Sequence, residues 1–294
     1  MERKKLFWLS HLVPYPPKGG VLQRSFNLLR EISNDFDVYL FCFNQEGFLN
    51  SSFPDSDDPL SEALKGLAPY TRKIQVADIP YSQHRFGKHY VALKSLLANQ
   101  SYTQNWLRST EAESQIKTFI EDLDFDAVHF DTISLGVYRR LVTDIPAVLN
   151  HHNIESRMLL DRSKNEKNLV KKLYFKMEGQ RVLAAEKTLC PSFDLNITCS
   201  EDDARDLNTI SPKSSADVVP NGVDINYFYP RPDDRPVPSN PYLVFAGGLS
   251  WYPNLDAMNY FVDEIWPEIK ARIPDIRMSL VGRNPPKKFI DLSE

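Results

Sequence analysis

The sequence has few cysteines, no apolar run long enough to cross a membrane and no excess of positive charge. The three cysteines in its 294 residues show no spacing typical of a metal site. No apolar stretch approaches the ~20 residues of a membrane-spanning helix. The net charge of −4 argues against nucleic-acid binding driven by phosphate neutralisation. These absences favour a globular α/β enzyme.

The N-terminus also lacks the pattern of a secretory signal. Leu6–Leu9 is too short for the apolar core of a signal peptide, and His11 follows almost at once. Cys42 and Cys199 lie in apolar, strand-like runs, so we expect both thiols to be buried and reduced. We therefore expect a cytoplasmic protein.

Short apolar runs recur along the chain, and the first, Lys5–Ser10, has no alternation, as in a parallel strand buried on both faces. Apolar residues make up 42% of the chain, which is enough for a sizeable core. The runs predicted as strands are Lys5–Ser10, Asp37–Phe43, Lys73–Ala77, Asp126–Phe130, Ala147–Asn150, Asp194–Cys199, Asp217–Val219, Tyr242–Ala246 and Arg277–Val281. The segment Asn50–Pro59, rich in Ser, Asp and Pro, is predicted to be a surface loop.

A turn followed by a proline-rich stretch divides the chain. Pro220 fixes its φ angle, and Asn221-Gly222 is a strong turn pair. The prolines that follow disfavour both a helix and a central strand. The chain length suggests about two domains. We predict two α/β domains, over residues 1–217 and 242–294, joined by a hinge over 218–241.

Two glycine pairs each lie between a predicted strand and a predicted helix. Gly19-Gly20 follows the first strand, and Gly247-Gly248 opens the second domain. This corner of a parallel sheet lies at the carboxyl ends of the strands, where glycines and a helix N-terminus favour an anionic ligand. A plain turn is the alternative, and G-x-G-x-x-G is absent. Arg283, at another strand exit, is a candidate phosphate partner.

The most polar strand exit is His151–Ser156, which contains two imidazoles, an amide and a carboxylate. Asp131 ends the preceding predicted strand, so it is expected on the same rim. Imidazole titrates near neutrality and suits proton transfer or hydrogen bonding to a sugar or phosphate. The segment is therefore predicted to be functional.

The alternative for this segment is a helix cap, with Asn153 as the N-cap. His151 and His152 do not make a convincing metal site, because neighbours in an extended strand point to opposite sides. A basic helical segment at 163–189 is predicted to be a solvated face. Peripheral attachment to anionic lipid at the inner membrane face is its alternative.

Four segments together resemble glycosyltransferase family 4, and are similar to the bacterial exopolysaccharide-type sugar transferases of the GT-B fold. They are P-Y-P-P-K-G-G-V-L-Q-R (14–24), H-N-I-E-S (152–156), V-P-N-G-V-D (219–224) and A-G-G-L-S-W-Y-P-N-L-D-A-M (246–258) with L-V-G-R (280–283). The resemblance covers nearly the whole chain. It implies two Rossmann-like domains facing a cleft, with the acceptor bound mainly by the first and the donor mainly by the second.

The resemblance also implies an activity. A sugar would pass from a nucleotide-diphosphate sugar to a polysaccharide or lipid-linked acceptor, with retention of anomeric configuration. No metal would be obligatory, and no cofactor is expected besides the donor substrate. The implied partners are the nucleotide sugar and the glycan or lipid-linked acceptor, without nucleic acid.

Specific roles follow from the resemblance. His152 would be the catalytic residue that contacts the transferring sugar, Gly19 and Gly20 would lie near the donor phosphates and the acceptor, and Gly248 would begin the loop near the diphosphate. The other substrate-binding candidates are Arg24, Asp131, Asn153, Glu155, Asn221, Gly247, Asn254 and Arg283.

Two departures from the family pattern affect the expected activity. The stretch Leu249–Asn254 has no cation where relatives carry an Arg and a Lys. The paired-glutamate donor motif and the last helix of relatives lie further along than this sequence, so we expect a C-terminally truncated chain. The alternatives to an active transferase are an acceptor-binding fragment or partner module, and another GT-B enzyme such as a nucleotide-sugar epimerase.

Overall fold

A computed structural model describes residues 3–121, 123–230, 242–249, 251–282 and 285–292. The chain forms two units, residues 1–222 and residues 223–294. No helix in the described part combines the length and the apolar character needed to cross a bilayer.

The first unit is built on a seven-stranded sheet in which all neighbouring strands are parallel. Its strands are β1 (Lys4–Ser10), β2 (Phe36–Asn44), β3 (Lys73–Asp78), β4 (Ala127–Phe130), β5 (Ala147–Asn150), β6 (Leu195–Thr198) and β7 (Ala216–Val218). Their order across the sheet is β3-β2-β1-β4-β5-β6-β7. This is the doubly wound order of a Rossmann-like fold, so the predicted α/β class is confirmed.

Helices connect the strands of the first unit. The α-helices are α1 (Gly20–Ile32), α2 (Glu46–Ser52), α3 (Pro59–Leu67), α4 (Gly87–Leu97), α5 (Tyr102–Leu107), α6 (Thr110–Glu121), α7 (Glu155–Asn165), α8 (Leu169–Leu189) and α9 (Glu201–Ile210). The 3₁₀ helices are Ala68–Tyr70, Ile133–Leu141 and Cys190–Ser192. Ser200 caps α9 by accepting a hydrogen bond from the Asp203 amide at 3.2 Å, as its Ser-x-x-Asp pattern predicts.

Each face of the sheet has its own hydrophobic core, because successive strand residues point to opposite faces. Phe7 and Leu9 pack in one core with residues of α6 and the 3₁₀ helix 133–141. Leu6 and Trp8 pack in the other with residues of α1 and α3. Burial on both faces explains why β1 is a continuous apolar run.

The second unit contains a two-stranded parallel sheet of β8 (Tyr242–Ala246) and β9 (Arg277–Val281). Its helices are α10 (Tyr252–Tyr260), a π-helical turn (Phe261–Ile265), α11 (Trp266–Arg272) and α12 (Lys287–Asp291). Leu249, Met258 and Phe289 form the centre of a small core. On β8, Tyr242 and Val244 remain exposed.

The structure differs from the sequence-based expectations at one loop and one cysteine. The predicted loop Asn50–Pro59 is wrong at both ends: α2 extends to Ser52, and α3 starts at Pro59, where Asp58 accepts a hydrogen bond from the Ser61 amide. Cys199 is half-buried rather than buried, because it follows β6 instead of lying within it. Residues 231–241 of the predicted hinge lie outside the described residues.

Candidate functional site

The candidate site lies where the sheet order reverses, between β1 and β4. From β1 the chain winds outward to β2 and β3, and from β4 it winds the other way. The carboxyl ends of these two strands therefore border the crevice in which doubly wound sheets bind ligands. Ser10 ends β1, with His11 next in the chain, and Asp131 directly follows β4.

Asp131 is the centre of this site. Its carboxylate is fully buried and accepts hydrogen bonds from three side chains: Ser25 Oγ at 2.7 Å, Ser10 Oγ at 3.2 Å and Asn150 Nδ2 at 3.2 Å. These donors come from α1, β1 and β5, so the carboxylate joins three elements at the sheet's carboxyl edge. Such bonding compensates for the cost of burying a charge.

Three imidazoles surround the same carboxylate. His152 Nε2 lies 3.3 Å from Asp131 Oδ1, His11 Nδ1 lies 3.5 Å from Oδ2, and His129 Nε2 lies 3.8 Å from Oδ1. The His129 ring also stacks on Trp8, with ring centroids 3.7 Å apart. The site thus couples one carboxylate to a group of imidazoles that can bind or move protons.

The surroundings shift the pKa values of these groups. Burial by itself would raise the pKa of Asp131, but the electrostatic interaction with His152 and the contacts with His11 and His129 hold the pKa well below its ordinary value. Burial lowers the pKa of His129, although Asp131 opposes that effect. At neutral pH the site therefore holds an ionised carboxylate beside a neutral His129.

His151 and His152 point to different surroundings, as expected for neighbours in an extended segment. The buried His151 ring is within hydrogen-bond distance of Asn196 Oδ1, at 3.1 Å, rather than of Asp131. Burial lowers the pKa of His151 to about 4, so this imidazole is neutral at pH 7. His151 supports the packing of β5 against β6, and only His152 belongs to the Asp131 site.

The segment after His152 is held by two glutamates. Glu155 accepts a hydrogen bond from Thr132 Oγ1 at 2.8 Å, which ties it to the residue after Asp131. Burial raises the pKa of Glu155. Glu186 of α8 accepts hydrogen bonds from the Ser156 amide at 3.1 Å and from its hydroxyl.

Asn153 is exposed and is not the N-cap of α7, so that alternative for the polar segment is wrong. The N-cap residue is Ile154, whose side chain cannot accept a hydrogen bond. The buried carboxylate of Glu186 instead binds the Ser156 amide in the first turn. A distant acceptor thus replaces the local cap that the sequence suggested.

Arg24 connects the site to the turn that follows β7. It is 5% exposed, and its Nε donates to Asn150 Oδ1 at 3.0 Å. Its Nη1 donates to Val219 O at 2.7 Å and to Asn221 Oδ1 at 3.0 Å. Asn221, Arg24, Asn150, Asp131 and His152 are therefore linked in one polar network. Four of these five residues were predicted from the sequence, and Asn150 was not.

Gly19 and Gly20 introduce the helix that carries Arg24 and Ser25. Gly19 has φ +96°, a conformation that favours glycine, and a Cβ at either glycine would meet no atom within 4 Å. The open space beside this helix start leaves room for a ligand at its N–H groups.

The predicted residues of the second unit also come together with one another. Asn254 Nδ2 donates to Gly248 O at 3.1 Å, and a Cβ at Gly247 would lie 3.0 Å from Asn254 Nδ2. The loop after β8 is thereby closed onto the start of α10. Arg283 lies outside the described residues, so its predicted role stays a prediction.

Several polar residues of the site were missed by the sequence reasoning. They are Ser10, His11, Ser25, His129, Thr132, Asn150 and Glu186. The only local signal was polarity at the end of an apolar strand, as for Ser10 and Asn150. His129 is buried inside the apolar strand β4, and nothing in the sequence of that strand distinguished it from a residue of the core.

The site also contains a possible set of metal ligands. Ligand atoms of His11, Asp131 and His152 lie within 4.8 Å of one another. Both carboxylate oxygens of Asp131 already accept hydrogen bonds, so an ion would have to compete with Ser10, Ser25 or Asn150. The expectation of a transferase without an obligatory metal stays a prediction.

Comparison with known proteins gives a family match. The model for Glycosyltransferase Family 4 matches residues 18–227. No curated protein matches the chain.

Similar solved structures share only low sequence identity with the chain. One is Arabidopsis thaliana UGT89C1 with UDP-L-rhamnose, with 12% identity and a TM-score of 0.45 over 97% of this chain and 70% of that one. Another is Anabaena HepE with UDP-glucose, with 11% identity and a TM-score of 0.43 over 94% and 69%. A third is a Listeria monocytogenes protein described as a UDP-N-acetylglucosamine 2-epimerase, with 11% identity and a TM-score of 0.45 over 97% and 64%. The family match alone spans well over half of the sequence, and the chain belongs to glycosyltransferase family 4.

Proposed function

We propose that the protein transfers a sugar from a nucleotide-diphosphate sugar to a polysaccharide or lipid-linked acceptor, with retention of anomeric configuration. The observation that carries the proposal is the buried Asp131 carboxylate with His152 at 3.3 Å, at the point where the sheet order reverses. In a chain of this family, that position favours a role at the reacting sugar.

The proposed role of His152 depends on Asp131. The pKa of Asp131 is held well below its ordinary value, so its carboxylate is ionised at neutral pH. It can then accept a hydrogen bond from the Nε2–H group of His152. That bond orients the ring and leaves Nδ1 to accept a hydrogen bond from a hydroxyl of the transferring sugar. Asp131 is thus proposed as a positioning residue, and His152 as the catalytic residue that contacts the sugar.

The departing diphosphate needs positive potential, which the N-terminus of α1 supplies in this proposal. Gly19 and Gly20 allow a phosphate to approach the free N–H groups of the first turn. Transfer breaks the bond between the sugar's anomeric carbon and the phosphate oxygen. A bond to the acceptor oxygen forms on the same face, and the acceptor proton leaves with the phosphate. Arg24 and Asn221 hold the neighbouring turn in place.

The test has two steps. Calorimetry of the full chain with UDP, GDP and their glucose derivatives is expected to show saturable binding of one nucleotide. Product analysis with that donor would then show a glycoside with the donor's anomeric configuration. Free epimerised sugar nucleotide would support an epimerase instead, and the absence of any nucleotide binding would support an acceptor-binding module. Unchanged turnover after EDTA treatment is expected if no metal is obligatory.

The same proposal places the protein at the inner face of the cytoplasmic membrane. Four apolar residues recur at helical spacing on α4 and its N-cap, and each is at least half exposed: Phe86, Tyr90, Leu93 and Leu97. No acidic residue occurs between Asp78 and Glu111. Exposed apolar side chains beside Arg85, Lys88 and Lys94, in a stretch without acidic residues, favour binding to an anionic bilayer.

Sedimentation with vesicles tests this surface. The chain is expected to bind phosphatidylglycerol vesicles and not phosphatidylcholine vesicles, and Leu93→Ser with Leu97→Ser should reduce the bound fraction. Phe48→Ser, on α2, is the control for loss of a single exposed apolar side chain elsewhere. Equal binding to both lipids would contradict the proposal.

A further inference from the structure

A second concave site lies away from the Asp131 network. It is a groove of about 1060 Å³ between α5, α8 and the 3₁₀ helix 133–141. Most of the lining residues of α8 and of the 3₁₀ helix lie toward the C-terminal ends of these helices, which lead toward the starts of β6 and β5. The groove is therefore on the flank near the amino ends of these strands, whereas Asp131 is at the carboxyl ends.

The lining of the groove is strongly cationic. Four arginines contribute to it: Arg108, Arg139, Arg140 and Arg181. None of the described lining residues is an aspartate or a glutamate. A concave surface with one sign of charge concentrates ions of the opposite sign.

Two of these arginines are held in place by uncharged acceptors. Arg139 Nε donates to Ser192 O at 3.0 Å, and Arg181 Nε donates to Asn99 Oδ1 at 3.2 Å. The carboxylates recorded beside them stand further off, with Asp194 3.8 Å from Arg139 and Glu178 3.9 Å from Arg181. The carbonyl oxygens orient the two guanidinium groups, and the nearby carboxylates offset part of their charge, so each of the two arginines contributes only part of its positive charge to the groove.

The other two arginines are more exposed and are better placed to meet a ligand. Arg108 lies just after α5 and is exposed. Arg140 has a side chain that is 59% exposed, and it pairs with Glu113, which is outside the lining. An exposed pair of this kind contributes little energy, so Arg140 can exchange its partner for a ligand at small cost.

Amide and hydroxyl side chains fill much of the remaining surface. The polar, uncharged lining residues are Asn99, Gln100, Ser101, Gln104, Asn105, Thr143, Gln180, Thr188 and Ser192. Such groups can donate to and accept from the hydroxyls of a carbohydrate. Their combination with arginines matches a ligand that carries both hydroxyl groups and carboxylates.

We propose that this groove binds an anionic oligosaccharide, a chain of sugars bearing carboxylate groups. Arg108 and Arg140 bind the carboxylates by charge-assisted hydrogen bonds, and the amides bind the ring hydroxyls. The site goes beyond the transfer reaction, and it does not require that the Asp131 site binds a nucleotide sugar.

Calorimetry of the full chain with hexagalacturonate tests the proposal, with neutral maltohexaose as the matched ligand. Saturable binding of hexagalacturonate is expected, with much weaker binding of maltohexaose. The double variant Arg108→Gln with Arg140→Gln should weaken hexagalacturonate binding about tenfold or more, because each loss removes a charge-assisted hydrogen bond. Arg205→Gln, on the exposed face of α9, is the control.

Three outcomes would overturn the proposal: no saturable binding of hexagalacturonate, equal binding of both hexasaccharides, or an equal effect of the Arg205 control. Thermal unfolding of each variant checks that the fold is intact. Nucleotide titration of the double variant separates the two sites, because UDP or GDP binding at the first site should not change.

Discussion

Arg24 Nε donates a hydrogen bond to Asn150 Oδ1 at 3.0 Å, across 126 positions of sequence. The same guanidinium binds Val219 and Asn221. The first helix, the end of β5 and the turn after β7 are thereby fixed to one another. The glycine-rich start of α1 and the Pro-Asn-Gly turn, which are distant segments of the family pattern, meet through this one side chain.

Loss of this guanidinium should destabilise the first unit. Arg24→Met removes the donor to three oxygen atoms, and leaves the buried Asn150 Oδ1 without this partner. The expected loss in unfolding free energy is about 1.5–3 kcal/mol, the range for losing hydrogen bonds to a charged group. Urea unfolding would measure it. Arg72→Met, which breaks an exposed contact with Asp37, should change the free energy by about 1 kcal/mol or less. A loss for Arg24→Met no larger than this control would contradict the network's role.

Asp131 should make stability depend on pH in the acid range. Its pKa is lowered in the folded protein, so ionised Asp131 stabilises the fold above the ordinary carboxyl pKa of about 4. That contribution is lost as the pH falls through the folded-state pKa. Asp131→Asn should therefore reduce the unfolding free energy at neutral pH and flatten its decline in acid. Urea unfolding across the acid range tests this, with the exposed Asp161→Asn as control.

The adjacent histidines should respond differently to substitution. His152→Ala is expected to lower kcat by about 10²–10⁴-fold, the range for loss of a group acting at the reacting centre. His151→Ala should mainly lower the melting temperature, because His151 lies buried beside Asn196. Steady-state turnover and thermal unfolding of both variants would separate the two roles. Unchanged kcat in His152→Ala would remove that residue from the mechanism.

Glu186 should oppose stability as the pH rises toward neutrality. Burial raises its pKa from 4.5 to about 7, so the folded chain keeps a proton that the unfolded chain loses. The contribution of protonated Glu186 to the unfolding free energy is fully present below about pH 4.5, and it is lost as the pH rises to about 7. Glu186→Gln keeps an oxygen that can accept from the Ser156 amide, and should flatten that decline. The unfolding free energies of the unchanged protein and of Glu186→Gln, measured at about pH 4.5 and about pH 7, test the prediction. An equal change of unfolding free energy with pH in the two proteins would contradict it.

The sequence by itself determined the order and type of the main elements. Short apolar runs predicted the strands that the structure describes, and β1 shows the local signature of a parallel strand buried on two faces, a run without alternation. Polar residues at strand ends likewise indicated Asp131 and His152. The prediction of a loop at Asn50–Pro59 was wrong at both ends because Ser, Asp and Pro also occur at helix ends: α2 runs to the buried Ser52, and Asp58 caps α3 at Pro59.

Only the tertiary structure decided which polar groups meet. Ser10, Ser25 and Asn150 converge on Asp131 from separations of 121, 106 and 19 positions, and no periodicity within one element can indicate such a meeting. It follows from the order in which the parallel strands pair, which places the ends of β1, β4 and β5 side by side. The opposite directions of His151 and His152 follow from the extended backbone, but only the tertiary structure decided that His152 faces Asp131 and His151 faces Asn196.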